Sequence, residues 1–169
     1  MCIFTYLALA VSMATMCDGF YVVNYWDQPF DFKCPLGQAI SYISSEHSDY
    51  FEDRRWEFHC RPVGETRVCE ESGYVNEFDQ LLTYVCPDNK VMTGVSSYHS
   101  DYYEDRRFQF QCCSVTGRNL TGCYITGDVN TWDRQLTLFV PEGRVVNGAY
   151  SVHSDYYEDR IWRFNICSI

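Results

Sequence analysis

The chain has 169 residues, a formal net charge of -10, 46% hydrophobic and 17% aromatic residues, and ten cysteines. That length and apolar content suit one domain, or a few small repeats packed together, and exclude a disordered tail. The acidity argues against nucleic acid and anionic membranes, which would repel it, and permits basic or neutral partners.

Met1 to Cys17 is an apolar run without a charged side chain, too short for a comfortable membrane span and followed by polar sequence. It reads as a signal peptide (1–17), so the mature chain, 18–169, is expected to be secreted into extracellular matrix or fluid, without membrane insertion. Cleavage could follow Ala14 or Cys17. The second choice leaves eight cysteines, an even set suited to disulfides.

The rest of the chain repeats three times. Asn24-Tyr25-Trp26-Asp27-Gln28, Asn76-Glu77-Phe78-Asp79-Gln80 and Asn130-Thr131-Trp132-Asp133-Arg134 share the form N-x-(W/F)-D-(Q/R). Alternation follows: Phe30, Phe32 and Cys34 share one strand face, as do Leu82, Tyr84 and Cys86, and Leu136, Leu138 and Val140. Pro-Leu-Gly, Pro-Asp-Asn and Pro-Glu-Gly come next and suit tight turns, so a hairpin is expected between this first strand and a second one. The second strands cover roughly Gln38 to Ser45, Lys90 to Ser97 and Arg144 to Ser151.

A charged segment, H-S-D-Y-(F/Y)-E-D-R, turns the chain toward a last strand in each unit. There Trp56, Phe58 and Cys60, Phe108, Phe110 and Cys112, and Trp162, Phe164 and Ile166 alternate with polar residues. The expectation is an all-β fold: a single disulfide-stapled domain of three pseudo-equivalent antiparallel β units, about 24–60, 76–113 and 130–167. Trefoil-like and prism-like arrangements satisfy the pattern equally.

Eight cysteines allow 105 pairings in principle, but the repeat offers an internal comparison. Cys34 and Cys60 in unit one, and Cys86 and Cys112 in unit two, become Val140 and Ile166 together in unit three, which suggests bonds Cys34–Cys60 and Cys86–Cys112. Cys69 and Cys123 each lie seven positions before the next unit's Asn, and Cys113 and Cys167 share one place after the last strand's inward cysteine or isoleucine, which suggests Cys69–Cys113 and Cys123–Cys167. Each closure is worth about 2 to 4 kcal/mol. Zinc is disfavoured, because no C-x-x-C pair exists and export favours oxidation.

The D-R-x-W-x-F-x-C form, Asp53-Arg54-Arg55-Trp56-Glu57-Phe58-His59-Cys60 with variants ending at Cys113 and Cys167, resembles the dermatopontin family, and so does Cys34-Pro35-Leu36-Gly37-Gln38. The likeness covers nearly all of the mature chain. It implies a secreted, acidic, tyrosine-rich matrix protein without catalytic activity or cofactor, active in cell adhesion and in organising proteoglycan and collagen. Invertebrate relatives look like haemagglutinins, which adds carbohydrate recognition.

The charged loops are the candidate binding residues: His47, Asp49, Tyr50, Glu52 and Arg54; His99, Asp101, Tyr102, Glu104 and Arg106; His153, Asp155, Tyr156, Glu158 and Arg160. Carboxylates and Arg can hydrogen-bond sugar hydroxyls, Arg can grip sulfate, and a Tyr ring can pack on a sugar's apolar face. Three such loops would bind glycans or proteoglycans multivalently. Collagen, cell-surface receptors and a second copy of the chain are further partners to consider. The bland alternative is that the Asp-Arg pairs bond neighbouring backbone or the N-x-(W/F)-D segment and only fix the turn. No metal is expected, since D-x-x-E-D lacks the alternation of an EF-hand. Asn119-Leu120-Thr121 is an N-glycosylation sequon. A matrix or adhesion protein is the first functional reading and a soluble defence lectin the second. A glycosidase stands third, because near-identical loops do not suit an asymmetric acid–base pair.

Overall fold

The computed structural model describes residues 21–169, so the expected signal sequence lies outside the described residues. Among those described, the chain is all β: β1 (Phe30–Lys33), β2 (Gln38–Ser48), β3 (Asp53–Pro62), β4 (Thr66–Tyr74), β5 (Leu82–Val85), β6 (Val91–Ser100), β7 (Asp105–Val115), β8 (Thr121–Ile125), β9 (Leu136–Phe139), β10 (Arg144–Ser154) and β11 (Asp159–Ser168). Nine of these are the three strands expected in each unit. The other two, β4 and β8, carry Cys69 and Cys123 on runs that are mostly exposed and bury no regular apolar face, so no apolar alternation announces them.

The strands form three antiparallel sheets, β3-β2-β9, β1-β6-β7-β4 and β5-β10-β11-β8. The hairpin expected at the proline turns does not form. Each charged loop closes the hairpin instead, with Ser48 opposite Asp53, Ser100 opposite Asp105 and Ser154 opposite Asp159. The first strand of each unit pairs with another unit's hairpin: β1 with β6, β5 with β10, and β9 with β2. β2 shows why, since β3 fills one of its edges and β9 the other.

A bulge receives each incoming strand. The ladder shifts between Met92 and Gly94 and between Val146 and Gly148, and the carbonyls of Thr93 and Asn147 there accept the N–H of Cys34 at 2.8 Å and of Cys86 at 2.7 Å. A Cβ on Gly94 would meet the carbonyl oxygen of Phe32 at 2.9 Å, and one on Gly148 that of Tyr84 at 2.7 Å. Glycine at these two bulges avoids that clash, whereas the third bulge, between Ile40 and Tyr42, places a tyrosine at the matching position.

Inward residues of all three sheets meet in one core. Trp56, Phe108 and Trp162, from β3, β7 and β11, pack edge to face with centroids 4.9 to 5.7 Å apart, an arrangement that adds to their area burial. Disulfides join Cys34 to Cys60, Cys86 to Cys112, Cys69 to Cys113 and Cys123 to Cys167, the pairs read from the repeat. Val140 and Ile166, in place of the third core bond, are both buried.

Candidate functional site

Each charged loop starts as a β-turn, with Phe51, Tyr103 and Tyr157 donating N–H to the carbonyls of Ser48, Ser100 and Ser154 at 3.0 to 3.2 Å. The turn leaves Glu52, Glu104 and Glu158 left-handed, at φ 44, 45 and 43°. Glycine adopts this conformation without a steric penalty, whereas glutamate meets one of about 1 kcal/mol. The fold thus keeps a carboxylate where glycine would be less strained.

The N-x-(W/F)-D segments hold the other side of the loops. The Asn24 amide donates to the Arg54 carbonyl and accepts the Trp56 N–H, as Asn76 does at Arg106 and Phe108 and Asn130 at Arg160 and Trp162. The following aspartate donates its backbone N–H to the carboxylate that starts the last strand: Asp27 to Asp53, Asp79 to Asp105 and Asp133 to Asp159. Those second carboxylates then clasp an arginine from a different unit. Arg106 donates through Nε and Nη2 to Asp53, Arg160 to Asp105 and Arg54 to Asp159, at 2.5 to 2.8 Å. All six side chains are at most 5% exposed. Each arginine also bonds a carbonyl of the same distant unit, at Gln28, Gln80 or Arg134. The three pairs form a closed ring that ties every unit to both others.

Beside that ring the histidines are enclosed, with 1% side-chain exposure. Nδ1 of His47, His99 and His153 lies 3.3 to 3.4 Å from the Asp two residues on, Asp49, Asp101 or Asp155. It also lies 3.7 to 3.8 Å from Asp133, Asp27 or Asp79 of another unit. On the other side of each ring, Nε2 has no hydrogen-bond partner and stands 3.7 to 3.9 Å from the loop glutamate.

All three loops open onto one narrow central pocket of about 20 Å³. Glu52, Glu104, Glu158, His47 and His99 stand around it, the arginine–aspartate ring lies deeper, and Trp56, Phe108 and Trp162 line its base. The indole N–H groups of both tryptophans have no acceptor. Burial is the first cause that pushes the three glutamate carboxyls above their ordinary range; the nearby histidine opposes it and neighbouring carboxylates add to it. Burial likewise raises Asp27, Asp79 and Asp133. Three groups bring donor atoms within 4.8 Å of one another, as a metal would require: Asp27, His99 and Asp101; His47, Asp133 and Asp159; and Asp79, His153 and Asp155. Asp159 is already held by Arg54, so these sets are unequal.

The remaining loop residues face outward. Asp49, Asp101 and Asp155 are 85 to 87% exposed, and Tyr50, Tyr102 and Tyr156 are 85 to 86% exposed. Each tyrosine rests edge-on against Phe51, Tyr103 or Tyr157, which stacks in turn on Trp26, Phe78 or Trp132. The Arg55 guanidinium caps Trp26 at 4.7 Å, and that of Arg107 sits over Phe78 at 5.9 Å. An aromatic prop therefore holds each exposed ring out from the body. Asn119 of the sequon is also exposed, in the connection between β7 and β8.

The structure thus divides the fifteen candidate residues. Glu52, Arg54 and their copies, with His47 and His99, line one central place, while the Asp and Tyr members turn away from it. The arginines bond aspartates and carbonyls of other units rather than their own turn, which the sequence reading did not anticipate. Asp27, Asp79 and Asp133 were not candidates, although the thrice-repeated N-x-(W/F)-D form is the signal that marks them.

A family model described as Dermatopontin matches residues 24–169. "Dermatopontin" of Biomphalaria glabrata is 46% identical over 86% of this chain and 98% of its own length. "Millepora cytotoxin-1" of Millepora dichotoma is 40% identical over 86% of the chain and 65% of its own length. "Hemagglutinin/amebocyte aggregation factor" of Limulus polyphemus is 39% identical over 87% of each. No solved structure matches.

Proposed function

Since this chain belongs to the dermatopontin family, we propose that it is a secreted, noncatalytic matrix or adhesion protein that binds glycoconjugates or proteoglycans through the outer halves of its three charged loops. The observation that carries this reading is the trio Tyr50, Tyr102 and Tyr156, each propped on stacked rings and each beside an exposed aspartate. An aromatic face with an adjacent carboxylate suits the apolar face and hydroxyls of a sugar ring. Three copies on one rigid body raise avidity where a partner reaches more than one. Domain limits of 18–169 after a cleaved signal, and export itself, belong to this proposal. Among the described residues no helix is long and apolar enough to cross a membrane.

A soluble agglutinin is the second reading, favoured by the Limulus relative, whose name states haemagglutination and cell aggregation. The two readings share a binding chemistry and differ in destination. Cell agglutination inhibited by a panel of neutral and sulfated sugars tests the glycan claim directly. Replacing Tyr50, Tyr102 and Tyr156 by Ala together should abolish glycan binding while leaving the fold intact. Full binding by that triple variant would sink the assignment to these loops. Collagen, cell-surface receptors and a second copy of the chain remain proposed partners, to be assayed beside the glycans.

A further inference from the structure

We propose that a groove at the end of the strands remote from the charged loops binds the anionic group, sulfate or carboxylate, of an acidic sugar through Arg61, Arg118 and Arg144. The proposal rests on the reading of the protein as glycan-binding, but it uses none of the loop residues.

The distribution of positive charge points to the place. The chain has 13 lysines and arginines against 23 aspartates and glutamates, and nine of the 13 form ion pairs. Among the described residues the other four are Arg61, Arg118, Arg134 and Arg144, and three of those four line a single groove of about 470 Å³. Glu142 and the terminal residue, Ile169, line it too, and neither carboxylate pairs with an arginine there. The local field is therefore opposite in sign to the net charge. Three guanidiniums in a chain of net charge -10 suit one or two anionic groups rather than a dense polyanion such as nucleic acid.

Backbone carbonyls hold two of the arginines and leave donors over. Arg61 stands where units two and three carry Cys113 and Cys167, and its Nη2 donates to the carbonyls of Pro141 and of Arg144, the second at 2.8 Å. Nη1 of Arg144 donates to the Gly122 carbonyl at 3.1 Å, and its guanidinium lies 5.2 Å over the Tyr124 ring. Arg118 is exposed and follows Gly117, whose φ of 68° turns the chain there. A guanidinium has five N–H donors in a planar fork, so each keeps some for the oxygens of a carboxylate or sulfate. Pro62, Val63 and Ile169 add apolar surface beside them. A pyranose ring can lie on that surface while its charged substituent turns to the arginines, whereas a bare anion gains nothing from it.

The groove lies far from the tyrosines. β3 runs 10 residues from Asp53 at its loop to Pro62 at the groove, and β10 runs 11 residues back from Arg144 to Ser154. Strands of that length separate the two ends by about 30 Å. One molecule can thus hold an acidic sugar at one pole and another glycan at the other, which bridges two chains without a dimer.

The test is titration of the mature, isotope-labelled protein, followed through its arginine Nε–H resonances, with methyl glucuronide and with N-acetylglucosamine sulfate. Methyl glucoside, inorganic sulfate and a blocked diglutamate peptide serve as parallel probes. An Asn119→Gln background keeps any sugar on the adjoining sequon out of the groove. Saturable shifts at Arg61, Arg118 and Arg144 are expected with at least one charged sugar, the two arms telling carboxylate from sulfate, and none with methyl glucoside. Arg118→Gln should weaken that binding about tenfold, the loss of one charge-assisted hydrogen bond, and leave the melting temperature unchanged, since the side chain is exposed. Arg118→Gln with Arg144→Gln should abolish it. Binding should survive the triple tyrosine substitution, which separates a failure here from a failure of the loop assignment. No saturable shift with either charged sugar overturns the proposal, as does equal binding of inorganic sulfate, tighter binding of the acidic peptide, or indifference to Arg118→Gln.

Discussion

Two halves of the same short loop meet opposite fates. In Ser100 to Arg106, Asp101 and Tyr102 stand almost wholly in solvent, while Asp105 and Arg106, a few residues on, are sealed in a ring of ion pairs. All of these residues recur in every unit, so repetition alone does not separate a support from a contact surface. Burial does, and it predicts opposite responses to substitution: the inner half should answer in stability and the outer half in binding.

The sharpest break of that contrast is Arg106→Ala. It strands the buried Asp53 carboxylate and releases the contact to Gln28, so unfolding free energy by urea titration should fall by about 3 to 5 kcal/mol. Cys86→Val with Cys112→Ile, which copies the apolar pair of unit three, should cost at most about 2 to 4 kcal/mol in the same assay, with part of the loss offset by apolar contacts. Asn76→Ala leaves the Phe108 N–H and the Arg106 carbonyl without their partner and should cost about 1 to 3 kcal/mol.

Glu104 lies between the two halves, and its effect depends on pH. Its folded carboxyl is raised, chiefly by burial, so folding favours the protonated form. Its contribution to stability is full below the unfolded value of about 4.3 and is lost as pH rises through the folded value. Glu104→Gln mimics the protonated form, so it should raise the melting temperature near neutral pH, with a gain that shrinks to nothing in acid. A gain that persists unchanged in acid would mean that charge is not its origin. The smallest effect on stability belongs to Tyr102→Ala, within about 0.5 kcal/mol of the parent, although glycan binding should drop.

Much of this was legible from the chain. The alternation of Trp56, Phe58 and Cys60 and of their counterparts marks the strands of the core, joint replacement of two cysteines by Val140 and Ile166 gives the two core disulfides, and the matching places of Cys69 and Cys123 and of Cys113 and Cys167 give the other two. Which sheet each strand joins was not legible. Phe30 to Lys33 has the same pattern whether it folds back on Gln38 or pairs across to Val91–Ser100, and the deciding Thr93 carbonyl and the missing Cβ of Gly94 act only in three dimensions. The arginine ring was hidden for the same reason. Asp53 and Arg54 are neighbours in sequence, and each finds its ion-pair partner in a different unit. β4 stayed hidden because Thr66–Tyr74 pairs without burying a regular apolar face.

The pairing of β9 with β2 also sets a timetable for synthesis. Residues 38–62 can close their own hairpin early, but the outer edge of Gln38–Ser48 keeps unpaired amides until Leu136–Phe139 has left the ribosome. The same interval separates Arg54 from Asp159. A nascent chain therefore carries an open strand edge through most of its elongation, with the exposure to mispairing that such edges bring. Dependence on chaperones should ease only when the third unit arrives.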